Sequence, residues 1–213
     1  MQRLLPGIIA MAAIVVASNI LVQFLILDGL LTWGAFTYPF AFLVTDLMNR
    51  LYGPDAARRV VFVGFAAGIL CSLIGSQIML QGDGYEYAAV ALRVAVGSGI
   101  AFLTAQLVDV FIFDRIRQGV WWRAPLASSV VGSALDTALF FTIAFSASIT
   151  LFPVSENEEI SWAWEASPLM NIGGLYPLWV SLAIADWMVK MTLALIALIP
   201  FRIVIGKILQ PSA

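Results

Sequence analysis

The chain has 213 residues, 62% of them apolar and 11% charged, whereas a typical soluble domain is about half apolar and about 25% charged. That balance excludes a water-soluble globular domain and fits one polytopic membrane domain spanning residues 1–213. Histidine is absent and Cys71 is the single cysteine, which excludes His-dependent catalysis, His metal sites, intrachain disulfides and Cys-rich clusters. A net charge of −2 offers no basic surface for nucleic acid, and no metal or cofactor is expected.

In chain order, runs with few or no charges cover residues 4–27, 33–51, 60–80, 88–113, 124–152 and 177–205. Each is long enough to cross a ~30 Å hydrocarbon core as a helix, so the expected fold is an all-α bundle of six transmembrane helices. The first run, with Arg3 ahead of it and a small Ala17-Ser18 step inside it, also has features of a signal peptide. It is about twice as long as a usual signal h-region, and its loss would break the charge pattern described next. Pro39 interrupts the second run among Trp33, Phe36, Tyr38, Phe40 and Phe42; broken helices beside aromatics recur where transporters bind substrates, and plain kinks are as common. Gly64, Gly68, Ser72 and Ser76 form a small-residue face on the third run, suited to close helix packing inside the bundle. The long loop at 153–176 carries Trp162 and Trp164, which read either as an interfacial lid or as members of the headgroup belt.

Nine of the 11 Lys and Arg residues fall at alternate connections and the two ends: Arg3; Arg50, Arg58 and Arg59; Arg115, Arg117 and Arg123; Arg202 and Lys207. The intervening loops carry acids only: Asp28; Asp83 and Glu86; Glu156, Glu158, Glu159 and Glu165. By the positive-inside rule both termini are cytoplasmic.

Six ionisable residues remain within the runs: Asp46, Arg93, Asp109, Asp136, Asp186 and Lys190. Charge inside a membrane helix is costly and marks candidate functional positions. Gln106 and Asp109 share a helical face, and Asp186 and Lys190, four apart, can form an ion pair. Asp46 can pair with Arg50 one turn on, and Arg93 can snorkel outward. With every group ionised the set carries −2, so at least one aspartate is expected to hold a proton in some conformations, to be carried in with a substrate or retained for structure.

The segments WGAFTYPFAFLVTDLMNRLYG (33–53) followed by Arg58-Arg59, Ser18-Asn19, RVAVGSGIAFLTAQLVDVFIF (93–113), SALDTALFFTIAF (133–145) and DWMVK (186–190) resemble the VUT family of queuosine precursor transporters. The resemblance runs through almost the whole chain and departs at Arg50, where many relatives carry an acid. It implies uptake of 7-cyano-7-deazaguanine or its aminomethyl relative, with the substrate and the lipid bilayer as partners; a homo-oligomer is compatible with it. A deazaguanine presents two adjacent donors that one carboxylate can accept and a carbonyl that needs a donor. The implied substrate residues are Asp109 or Asp136 for the donor edge, Gln106, Asn19 or Lys190 for the carbonyl, and Trp33 or Phe40 over the ring, with Asp46 and Arg93 completing the set.

Two other functions compete. The substrate-binding component of an energy-coupling-factor vitamin importer is also a small six-helix protein, but its docking face is represented here only by Ala13 and Ala17. An intramembrane enzyme would need zinc-binding histidines, a Ser-His pair or a Gly-x-Gly-Asp motif, none of which the sequence contains. A Gly-rich loop ahead of Lys-Ser or Lys-Thr is missing too, which excludes ATP hydrolysis by that route.

Overall fold

The computed structural model describes residues 2–21, 24–26, 31–81 and 86–209. After a 3-10 turn at Gln2–Leu4, the helices are α1 (Leu5–Leu21), α2 (Gly34–Thr37), α3 (Phe40–Tyr52), α4 (Pro54–Gly75), α5 (Leu92–Ile116), α6 (Arg123–Phe145), α7 (Val154–Glu159) and α8 (Leu178–Leu209). Five helical stretches, Gln2–Leu21, α4, α5, α6 and Leu178–Ile208, are long and apolar enough to cross a membrane. Helix is the form apolar sequence must take in lipid, because it satisfies every backbone group internally.

The second run is helical over 34–52 but in two pieces, broken at Tyr38-Pro39. Proline has no N–H to donate and its ring crowds the preceding turn. At the other end α3 stops at Gly53, whose φ of 88° suits glycine and whose N–H donates to the Asn49 carbonyl at 2.9 Å. Pro54 then opens α4 at its first turn, where its fixed φ is already helical.

Several expected boundaries are corrected. The first helix ends at Leu21, not 27, because Leu25–Ile26 (β1) pairs antiparallel with Leu31–Thr32 (β2). The third helix covers 54–75 instead of 60–80: it takes in Arg58 and Arg59, which are exposed at its start, and it gives way to a hairpin of Met79–Gln81 (β3) with Glu86–Ala88 (β4). A third hairpin joins Ala166–Pro168 (β5) to Leu175–Pro177 (β6) ahead of α8. The loop expected at 153–176 therefore contains α7, two 3-10 turns, β5 and the start of β6. Chain order puts all three hairpins at one end of the bundle and the short turns, with Arg50 and Arg117, at the other. Asp28 and Asp83, assigned to the acidic loops, lie outside the described residues.

The fifth run is helical only to Phe145, not 152, and Arg93 explains why. Its Nε donates to the Ile143 carbonyl at 2.9 Å, one Nη donates to the Ser146 carbonyl, and the other donates to Asn157 Oδ1 at 2.6 Å. A cation and its N–H groups thus satisfy the last carbonyls of α6, the favoured sign for a helix C-terminus. Arg93 is fully buried, so the expectation that it snorkels to water is corrected.

The bundle holds buried polar clusters among its apolar cores and turns apolar side chains outward. Ile9, Ile20, Phe62, Leu70, Phe111, Leu195, Ile199 and Ile203 face outward, while Thr45, Asn49, Gln106 and Ser128 are fully buried with Arg93 and Asp109. One apolar core, built on Met11, Val15, Met48, Val60, Val61 and Phe102, ties α1, α3, α4 and α5 together. The small-residue face of α4 packs here: a Cβ on Gly64 would lie 2.6 Å from Met11 Cγ and 3.0 Å from Phe102 Cζ. Gly64→Val is expected to lower stability by about 1–3 kcal/mol, the usual cost of overpacking, measured as an earlier thermal transition in detergent.

Candidate functional site

At the hairpin end a cavity of about 350 Å³ opens among α1, α2, α5, α6 and α8. Its polar lining includes Ser18, Asn19, Thr32, Tyr38, Ser72 and Ser98, and its apolar wall includes Phe140, Phe141, Phe145 and Trp162. Trp162 packs edge-on against Phe145 at 5.8 Å between ring centroids, and Trp164 Nε1 donates to the Phe145 carbonyl at 2.7 Å. The 3-10 turn Ser161–Trp164 is thereby pinned beside the cavity mouth.

Asp136, Asp186 and Lys190 also line this cavity, and with Tyr38 they form one network. Lys190 Nζ donates to Asp136 Oδ2 at 2.7 Å, to Asp186 Oδ2 at 2.5 Å and to Thr137 Oγ1 at 3.0 Å. All three ammonium protons are thus used. Tyr38 Oη donates to Asp136 Oδ1 at 2.9 Å, and Thr137 Oγ1 donates to Asp186 Oδ2 at 2.8 Å. The Lys190 ammonium also lies 5.5 Å from the centre of the Tyr38 ring.

The break at Pro39 aims the Tyr38 hydroxyl inward; the Asp186-to-Lys190 spacing turns both groups to the face of α8 that meets α6. The expected Asp186–Lys190 pair is present, but Lys190 serves Asp136 as well. Both Asp136 oxygens are occupied, whereas Asp186 Oδ1 accepts no hydrogen bond from a described residue and its side chain is 15% exposed. Asp186 is therefore the carboxylate with a free acceptor edge. Asn19 donates through Nδ2 to the Val15 carbonyl at 2.9 Å, which leaves one N–H of that amide over. Ser18 and Thr37 hydroxyls, 2.8 Å apart, fix α1 to α2 beside it.

The remaining sequence candidates lie elsewhere. Trp33 and Phe40 are not among the lining residues and are substantially exposed; the aromatic wall comes instead from α6 and Trp162. Arg93 is the C-terminal clamp of α6. Asp46, Gln106 and Asp109 sit in a second buried polar cluster toward the turn end. There Thr45 Oγ1 donates to Gln106 Oε1 at 2.6 Å, and Ser128 and Ser129 hydroxyls donate to Asp46 at 3.1 and 3.3 Å. Arg50 does not pair with Asp46: its guanidinium donates to the Arg117 carbonyl, where it closes the turn end.

Tyr38 is the site residue that sequence reasoning passed over in favour of Trp33 and Phe40. It is the one phenol between residues 33 and 42 and directly precedes the helix-breaking proline, so a signal was present. Among the described residues there is no cluster of three or more acids or cysteines able to hold a metal ion.

Comparison with known proteins agrees with this picture. A family described as "Putative vitamin uptake transporter" matches residues 32–205. The queuosine precursor transporter of Escherichia coli (strain K12) is 32% identical over 210 residues, 94% of this chain and 85% of its own length. The "Probable queuosine precursor transporter" of Haemophilus influenzae is also 32% identical, over 84% of this chain and 70% of its own, and that of Bacillus subtilis is 26% identical over 78% and 68%. No solved structure matches the chain. With five apolar helices around buried polar clusters, this chain is a multi-pass membrane transporter, not an enzyme, and belongs to the vitamin uptake transporter (VUT) family.

Proposed function

We propose that the chain imports a 7-deazaguanine precursor of queuosine, 7-cyano-7-deazaguanine or its aminomethyl relative, across the bacterial inner membrane, and that the 350 Å³ cavity is its binding site. The observation that carries this reading is the cavity floor, where Asp186 presents an unfilled acceptor edge held rigid by Lys190 and Thr137. The free oxygen is Oδ1, since Oδ2 takes both Lys190 and Thr137, and its two lone pairs suit the adjacent ring N–H and exocyclic amine of a guanine-type base. Asn19 supplies a donor for the neighbouring carbonyl, and Phe141, Phe145 and Trp162 suit the flat faces. A volume of 350 Å³ falls at the small end of the range of about 300–1,000 Å³ for ligand pockets. The names of the relatives agree with this substrate class.

In this reading the broken helix over 34–52 is the sixth span: 19 residues at ~1.5 Å each reach about 28 Å, close to the ~30 Å hydrocarbon thickness. The whole chain is then one six-span domain. The basic turn end is cytoplasmic with both termini, and the hairpin end faces outward, so the cavity is open to incoming substrate. A proton entering with the substrate drives accumulation.

Labelled 7-cyano-7-deazaguanine should enter a salvage-dependent host that expresses the chain. Asp136→Asn should cut that uptake by roughly tenfold to a hundredfold at normal membrane abundance, since it weakens charge-assisted hydrogen bonds worth about 1.5–3 kcal/mol each. Wild-type uptake by this variant would remove the cavity floor from the transport path. An inert wild-type chain would overturn the substrate assignment.

A further inference from the structure

Below the cavity lies a buried carboxyl pair that substrate binding does not use. Asp46 on α3 is 2% exposed and Asp109 on α5 is fully buried, and each lies within the other's electrostatic reach. Asp46 accepts from Ser128 and Ser129, and Asp109 sits within hydrogen-bonding reach of Asp46 and Ser128, yet neither Asp109 oxygen accepts a well-formed hydrogen bond from a described residue. Buried polar groups in folded proteins are satisfied with few exceptions, and an unpartnered carboxylate is among the costliest exceptions.

Among the described residues, the elements packed around the pair bring no free cation to it. Lys190 on α8 is held by Asp136, Asp186 and Thr137, and Arg202 on the same helix stacks on Trp121. On α3 Arg50 is taken by the Arg117 carbonyl, and Arg93 is sixteen residues along α5 from Asp109, ~24 Å at the helical rise. On α4 Arg58 pairs with Asp55 in the open and Arg59 is exposed; Arg123 is exposed on α6, and α1 carries no ionisable side chain. Asp114 and Arg115 lie more than one turn beyond Asp109, at the α5 terminus.

A gap of about 20 Å³ between α3, α6 and α8 is lined by Asp46, Ser129, Ser133 and Lys190. It reaches from Lys190, which also lines the cavity, to Asp46, the member of the pair it touches, and admits one water. Two carboxylates that share a buried site without a cation do not both stay ionised. One proton on the pair removes a negative charge and supplies the missing donor in the same step. It needs no volume, whereas a metal ion would need ligands in place of the Ser128 and Ser129 hydroxyls, which point their protons at Asp46.

We propose that Asp46 and Asp109 form the proton-binding site of transport, separate from the substrate cavity and reached from it through the Ser129–Ser133 gap. An O–H bond forms on the pair with a proton from the outer side and breaks as that proton leaves to the cytoplasm; the substrate is chemically unchanged. This assignment deepens the proposed function and rests on it, so its test has one arm that needs no substrate.

In that arm, purified wild-type protein at neutral pH should show an infrared band of protonated carboxyl that shifts in heavy water. The band should disappear in both Asp46→Asn and Asp109→Asn and persist in Asp136→Asn. No such band in the wild type, or its persistence in both pair variants, overturns the proposal. Asp109→Glu guards against a variant that fails to fold: it should shift the band instead of removing it.

In the second arm, proteoliposomes hold labelled 7-cyano-7-deazaguanine at equal concentration on both sides. An inward gradient of one pH unit should drive about tenfold accumulation by the wild type, for one proton per substrate. Asp109→Asn should abolish accumulation yet keep exchange of labelled for unlabelled substrate, whereas Asp136→Asn should lose both. Accumulation by Asp109→Asn, or drive by sodium in place of protons, overturns the proposal. Failure of the wild type to exchange the deazaguanine overturns the substrate assignment instead, and the infrared arm still decides the pair.

Discussion

Replacing Lys190 with methionine is expected to abolish uptake and to reduce the yield of folded transporter. Lys190 is 96% buried, and its three protons hold Asp136, Asp186 and Thr137 from two helices. Its removal leaves Asp136 with the Tyr38 hydroxyl alone and Asp186 with Thr137 alone. Removing one partner of a buried ion pair costs about 3–5 kcal/mol, because the other charge stays behind uncompensated, whereas neutralising both partners is often close to neutral. The double variant Lys190→Met with Asp136→Asn should therefore recover part of the folded yield, since Asp186 still lacks its cation, and none of the uptake. Fluorescence-detected gel filtration of the solubilised membranes separates the two effects. If Lys190→Met elutes at wild-type yield and unfolds at the wild-type temperature, the network does not hold α6 to α8, and its ion pairs are too weakly coupled for this argument.

Much of this architecture was legible in the sequence because lipid makes a simple demand. An apolar run of membrane length has one stable backbone solution, so the long helices and the break at Pro39 followed directly. The ends did not follow. Helix α4 continues through Arg58 and Arg59 because a helix need not stop where the hydrocarbon does, and α6 stops at Phe145 because Arg93, fifty positions away, takes its last carbonyls. The hairpins were hidden because strands of two or three residues are too short for an alternating pattern to register.

The candidate site divides the same way. The Asp186–Lys190 pair is local, four residues apart on one helix, and could be read from spacing. The Lys190–Asp136 bond joins residues 54 apart and depends on how α6 meets α8, which spacing along a single helix does not encode. Asp109 and Gln106 do share a buried face, but that face turns toward Asp46 and Thr45 and away from the cavity. Aromatic residues near a broken helix drew attention to Trp33 and Phe40, whereas the cavity wall is supplied by α6 and a 3-10 turn far along the chain. The break itself was the better clue: what it aims inward is Tyr38.

The assignment of Asp186 to the donor edge predicts a change in selectivity that a merely structural role would not produce. For the wild type, an analogue lacking the exocyclic amine should compete roughly 5- to 150-fold less well than 7-cyano-7-deazaguanine, since leaving a buried acceptor without its donor costs about 1–3 kcal/mol. In Asp186→Asn the carboxamide oxygen keeps the hydrogen bonds of Lys190 and Thr137, and the amide NH2 takes the place of the free oxygen that faced the ligand. The natural substrate then meets N–H against both its ring N–H and its amine, whereas the amine-free analogue meets it at the ring N–H alone. Affinity for the natural substrate should fall steeply, affinity for the analogue should fall much less, and the ratio between them should collapse toward unity. Competition against labelled substrate in membranes carrying each variant measures that ratio directly. A substitution that only loosened α8 would weaken both ligands in proportion, so an Asp186→Asn protein that keeps the wild-type ratio would move the donor-edge role away from Asp186 to the remaining cavity carboxylate, Asp136.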